Sequence, residues 1–155
     1  MESSVDKKLA ELKLELPKVT PPAGNIVPFV KSGSQVFLSG QGTMWNGEAR
    51  FLGKVGREFD LAQAQEATKL CALNILAQLK VACDGDLDRV ARVIKVTGFV
   101  NAVEDFKDVP QAVNGASDLL VAVFGKNGTH ARTGVGVSTL PRGSAAVVEA
   151  IFELK

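Results

Sequence analysis

Residues 60–100 read DLAQAQEATKLCALNILAQLKVACDGDLDRVARVIKVTGFV, and two periods follow one another within them. Leu61, Ala64, Thr68, Cys71, Ile75, Leu79 and Ala82 recur at helical spacing along one face. Asp60 stands just before the first of them, where a carboxylate can accept from the free amides of a helix N-terminus. Asp84-Gly85-Asp86 closes the helix. The period then changes. Val90 to Val100 is β-branched, broken only by Gly98, and reads as a long strand.

Outward from this pair, further elements appear on both sides. Pro110 to Phe124 predicts a second helix, with Pro110 in its first turn and Gly125 past its end. Thr133–Leu140 and Ala145–Leu154 predict the last two strands, joined across Pro141-Arg142-Gly143. Towards the N-terminus, Ile26–Lys31 and Gln35–Ser39 predict a strand pair turning at Ser32-Gly33-Ser34. Gly40-Gln41-Gly42 breaks the second of these, and Asn46-Gly47 is a type I′ hairpin signal. Val5 to Leu16 is an amphipathic helix carried by Leu9, Leu12 and Leu16, and Pro17 ends it.

The order is strand pair, long helix, strand, helix, strand pair. It implies an α+β domain with two helices on one face of a mixed sheet. A chain of 155 residues fits one such domain. In the last strand Val148, Ala150, Phe152 and Leu154 alternate with Val147, Glu149, Ile151 and Glu153. Val147 and Ile151 therefore face away from the helices, where no third layer is predicted. Association of subunits is the natural cover.

Elimination narrows the chemistry. Eighteen basic and 17 acidic residues leave a charge near zero, which argues against a nucleic-acid surface. No apolar run is long enough to span a membrane. The N-terminal Met1-Glu2-Ser3-Ser4-Val5-Asp6 lacks the hydrophobic core of a secretory signal, so the cytosol is the default expectation, with an organelle left open. The cysteines, Cys71 and Cys83, lie roughly 18 Å apart along one helix and cannot bridge each other. With a single histidine, His130, and no C-x-x-C spacing, no metal site is expected. No phosphate loop or complete dinucleotide fingerprint is present, and no cofactor is expected.

One charged residue stands apart. Arg132 opens the apolar, glycine-containing run Ala131-Arg132-Thr133-Gly134-Val135-Gly136-Val137. A guanidinium there is partly buried and needs partners. It either pairs with an acid of its own chain or clamps the carboxylate of a ligand.

Taken in order, Leu38-Ser39-Gly40-Gln41, Gly98-Phe99-Val100-Asn101, Val113-Asn114-Gly115-Ala116-Ser117-Asp118-Leu119-Leu120, His130-Ala131-Arg132, Leu140-Pro141 and Glu149-Ala150 resemble the Rid family. That family is also called YjgF or "endoribonuclease L-PSP". The resemblance covers about residues 23 to 154, with the first 20 residues as a helical extension. It implies a chorismate-mutase-like α+β fold and a homotrimer around a central barrel, with a ligand cleft between subunits. It further implies hydrolysis of reactive 2-imino acids to 2-keto acids and ammonia. Carried over by position, Arg132 is the carboxylate anchor and the catalytic candidate. Ser39 and Gly40 lie beside the ligand, as does Asn114 from the second helix.

The departures bear on the same site. Ile26 stands where the family has a tyrosine, and Gly134 where it has a cysteine. Val147 stands where the family places the glutamate that holds water. Glu149 lies on the same strand face as Val147 and is the substrate-binding candidate that could compensate, or else a structural or interface salt bridge. Two other functions therefore stay open: a non-catalytic binder of small carboxylates, and an RNA-cleaving translation inhibitor.

Overall fold

A computed structural model describes residues 2–155, and Met1 lies outside the described residues. Helix α1 spans Ser4–Glu11, strand β1 Phe29–Ser32, β2 Gln35–Gln41, β3 Met44–Trp45 and β4 Glu48–Ala49. Helix α2 spans Leu61–Ala82, β5 Val90–Asn101, α3 Val109–Phe124, β6 Ala131–Val137 and β7 Ala146–Leu154. Five strands form one sheet in the order β1-β2-β7-β5-β6. Only β5 and β6 run parallel; the other pairings are antiparallel. Helices α2 and α3 pack on one face of this mixed sheet, as the α+β reading expects.

Local chemistry accounts for the elements. Asp60 accepts from the Gln63 amide at 2.8 Å, and the Gln63 side chain accepts from the Asp60 amide at 2.9 Å. This reciprocal box starts α2 where the sequence places it. Asn46 and Gly47 both take left-handed φ, 50° and 86°, as the β3–β4 turn requires. Val148, Ala150, Phe152 and Leu154 are buried beneath the helices. Complete burial of Phe152 alone is worth about 1.5–3 kcal/mol.

Several expected boundaries moved, and β6 spans Ala131–Val137 rather than Thr133–Leu140, because its parallel pairing with β5 starts at Lys95–Ala131 and ends at Asn101–Val137. Helix α1 stops at Glu11 rather than at Pro17, because Lys13 turns left-handed at φ 56° and the Leu14 amide bonds back to the Leu9 carbonyl at 2.9 Å. Strand β1 begins at Phe29, not Ile26. The glycines after Ser39 do not end β2. The strand runs on to Gln41 through a register shift between Leu38 and Gln41.

The N-terminal extension is fastened to the domain. Val5 and Leu9 are buried, and Leu14 and Leu16 pack on the core. Asp88 accepts from the Ser4 and Val5 amides at 2.7 and 3.0 Å, and Lys80 pairs with Asp6 at 2.8 Å. This extension explains why α2 is buried on nearly every side. The sheet covers one flank, α3 a second, and the extended chain after α1 a third. Helices α2 and α3 approach so closely that a methyl group on Gly115 would lie 1.8 Å from the Gln65 carbonyl oxygen. Burial raises the pKa of both thiols, so Cys71 and Cys83 act as small core hydrophobes.

Candidate functional site

The surroundings of Arg132 are built by two glycines in register. Gly98 of β5 lies beside Gly134 of β6. A Cβ on either would meet the Val113 side chain, at 2.6 and 3.1 Å. Their bare backbones admit Val113 and draw α3 down onto the sheet. Asn114 and Ser117, one turn apart on α3, thereby reach Arg132 on the edge strand β6.

Arg132 is half-buried. Its Nη1 donates to Asn114 Oδ1 at 2.7 Å and to Ser117 Oγ at 3.3 Å. Behind it, His130 Nδ1 lies 2.6 Å from the Gly128 carbonyl oxygen, and Nε2 lies 2.9 Å from Ser117 Oγ. A carbonyl can only accept, so Nδ1 carries the proton. In the neutral ring Nε2 then accepts from the Ser117 hydroxyl, whose lone pairs turn towards Arg132. Every partner of the guanidinium is neutral. Among the described residues no acid forms a salt bridge with Arg132, and no hydrogen bond engages its Nε or Nη2. The internal acid pair is thus not what holds this arginine. The free Nε–Nη2 edge has the fork geometry that a carboxylate accepts in two parallel bonds.

Ser39 and Gly40 lie elsewhere. They sit on β2, three strand spacings from β6, which is roughly 14 Å. Ser39 Oγ donates to the Val27 carbonyl at 2.7 Å. Both residues line a cavity of about 250 Å³ together with Ile26, Val27, Met44, Arg142 and Val147. No Asp, Glu or His lines it. Glu149 is exposed on the outer sheet face and lines a separate groove with Phe37, Lys95, Thr97 and Ile151. It forms no salt bridge among the described residues, so an intramolecular ion pair is not its role. One chain therefore brings Arg132 and Asn114 together and keeps Ser39 with Gly40. The two pairs stay apart, and Glu149 stands between them.

Sequence reasoning did not single out Ser117, although its place three residues after Asn114 puts it on the same helix face. Nor did it single out the wall formed by residues 20–28, whose irregular backbone carries no periodic signal. Among the described residues no cluster of three His, Cys, Asp or Glu side chains is placed to hold a metal ion. No described helix is long and apolar enough to cross a membrane.

A family described as YjgF/chorismate mutase-like, "putative endoribonuclease", matches residues 6–154. The chain belongs to this family. Protein TCP17 of Trypanosoma cruzi is 41% identical over 151 residues, covering 97% of this chain and 94% of that protein. The crystal structure of Atu1372 from Agrobacterium tumefaciens is 43% identical with a TM-score of 0.92, covering 97% of this chain and 92% of that one. A "putative endoribonuclease" from Shewanella oneidensis is 34% identical with a TM-score of 0.94, covering 98% and 100%. The YjgF fold accounts for the mixed sheet and its two helices. The match begins within α1, so it takes in most of the N-terminal segment of this YjgF-family chain.

Proposed function

We propose that this YjgF-family chain holds a small 2-imino acid by its carboxylate and hydrolyses it to the 2-keto acid and ammonia, in clefts between the copies of a homotrimer. The observation that carries the reading is the Arg132 guanidinium: half-buried, positioned by the neutral Asn114 and Ser117, with its forked edge unengaged among the described residues. A partly buried cation without an internal acid suits an anion from solvent. Ser39 and Gly40 of a second copy would form the facing wall. The apolar outer face of the sheet, with Phe37 and Val135 exposed, gives copies a reason to associate.

The reaction asks little of the protein. The imine carbon is electrophilic once its nitrogen is protonated. Water adds to that carbon, the proton it loses passes to nitrogen, and collapse of the adduct expels ammonia and leaves the keto group. Holding the carboxylate fixes that carbon relative to the water.

The assay generates imines with an amino-acid oxidase and follows keto-acid release. Acceleration over buffer is expected, with Arg132→Ala losing about 100-fold in kcat/KM, the size expected for a charged clamp of about 3 kcal/mol. Rates equal to the buffer blank across several amino acids would reject the reading.

A second reading, a non-catalytic binder of small carboxylates, is favoured by one observation. The wall that carries Ser39 and Gly40 also carries Val147 and no acidic side chain, so it offers no base to the water. Calorimetric binding of 2-keto acids without turnover, lost in Arg132→Ala, would assign the protein to this second class.

A further inference from the structure

His130 is the one histidine of the chain, and hydrolysis as proposed gives it no task. Its surroundings are ordered from the backbone outward. A Cβ on Gly128 would lie 2.4 Å from the Leu120 carbonyl oxygen and 2.8 Å from Val121 Cα, so the turn Gly125–Gly128 is pressed against α3. Arg92 Nη2 donates to the Thr129 carbonyl at 3.2 Å and ties the end of that turn to β5. The Gly128 carbonyl, fixed in this way, accepts from His130 Nδ1 at 2.6 Å and so decides the tautomer. Nε2 is left bare, and it draws the Ser117 hydroxyl hydrogen to itself at 2.9 Å. A serine hydroxyl is a free rotor, and turned the other way its hydrogen would oppose the Arg132 Nη1 hydrogen. Turned towards His130, it offers a lone pair to Nη1 at 3.3 Å, beside the Asn114 oxygen at 2.7 Å.

We propose that His130 is a positioning residue for the Arg132 anchor, acting through Ser117. The inference rests on Arg132 as the anchor of the proposed function and adds what fixes its direction. A guanidinium held by one acceptor still swings about that bond. Two acceptors on Nη1 lock its plane and leave Nε and Nη2 free as a pair, which two parallel bonds to a carboxylate require. An aspartate in their place would lock the plane as well, but its charge would cancel the attraction an incoming anion feels. The neutral ring and hydroxyl set the direction without that loss. The relay also closes on itself. Helix α3 seats the turn, the turn sets His130, and His130 sets Ser117 on the same helix.

The test applies the imine assay and calorimetry with pyruvate to the full chain, with nitrogen NMR of the single histidine at mildly alkaline pH. The wild-type ring is expected to show a protonated Nδ1 and an accepting Nε2, and the Nε2 signal to shift in Ser117→Ala. Ser117→Ala and His130→Ala are each expected to raise KM and the pyruvate Kd about tenfold, the size of one hydrogen bond to a charged group, with kcat within about twofold. His130→Gln, whose amide oxygen can accept from Ser117, is expected to recover most of that loss. A merely structural histidine would instead lower Tm and kcat in His130→Ala, with no recovery of KM by glutamine, and that result overturns the proposal. A ring protonated at Nε2 overturns it too, as do wild-type KM and Kd in both alanine variants, while imine hydrolysis by the wild type still stands. A wild type inert towards imines rejects hydrolysis alone if pyruvate binds and both alanine variants weaken it, an outcome that supports the relay. No turnover and no heat with pyruvate overturn both.

Discussion

Gly115 shows how much a single missing methyl group decides. The carbonyl oxygen of Gln65 occupies the space a Cβ would need, 1.8 Å away, and the Thr68 hydroxyl lies 2.5 Å from the same point. Thr68 donates to the Ala112 carbonyl at 2.8 Å, so the α2–α3 contact is also a polar one. Gly115→Ala must push the helices apart, since backbone cannot yield as a side-chain tip can. The expected cost is about 2–4 kcal/mol, read as a lower midpoint in denaturant with an unchanged slope. Separation of α3 from α2 also shifts Asn114, so the same variant is expected to weaken carboxylate binding at Arg132. A midpoint equal to wild type would contradict so close a contact between α2 and α3.

Among the elements, α2 is legible end to end and its start rests on one box. Asp60→Ala removes the acceptor for the Gln63 amide and is expected to cost about 1 kcal/mol in thermal or denaturant unfolding. The N-terminal helix depends instead on ionised groups. The hydrogen bond from Lys80 holds the Asp6 carboxyl below its usual range. Burial pushes Asp88 up, but the Ser4 amide and hydroxyl and the Val5 amide outweigh it and leave it lowered. A carboxylate lowered in the folded state stabilises above its ordinary pKa of about 4, and that contribution is lost as pH falls through the folded value. Below about pH 4, α1 is therefore expected to loosen before the sheet does. Amide hydrogen exchange should show residues 4–11 losing protection while α2 keeps it. Simultaneous loss in both would show that the extension and the core unfold as one unit.

At the scale of the molecule, the sheet has one dry face and one unfinished one. Val30, Phe37 and Val135 are exposed on the sheet strands, and Val147 and Ile151 are only half-buried. Association is expected to cover them, with light scattering reporting a mass near three chains. Phe37→Glu places a charge in the middle of that face and is expected to return a single-chain mass with the helical circular dichroism retained. A wild-type mass of one chain at micromolar concentration would remove the basis for a cleft between copies.

The sequence by itself determined the mixed α+β class, the extent of α2 and β5, the two faces of β7, and Arg132 as a cation needing explanation. Those features are local: periods of 3.6 and 2, an aspartate at a helix start, and a charge in an apolar strand can each be read within a few residues. Only the tertiary structure decided that Gly98 and Gly134 stand side by side, that Asn114 and Ser117 hold Arg132 without an acid, and that Arg142 lines a cavity walled by residues near position 20. Those depend on which strands become neighbours and, at Arg142, on a left-handed turn, φ 61°, that a non-glycine sequence does not announce. The energy that fixes them is the burial of α2 and α3 on the sheet, a sum over many distant contacts that no short stretch of chain contains.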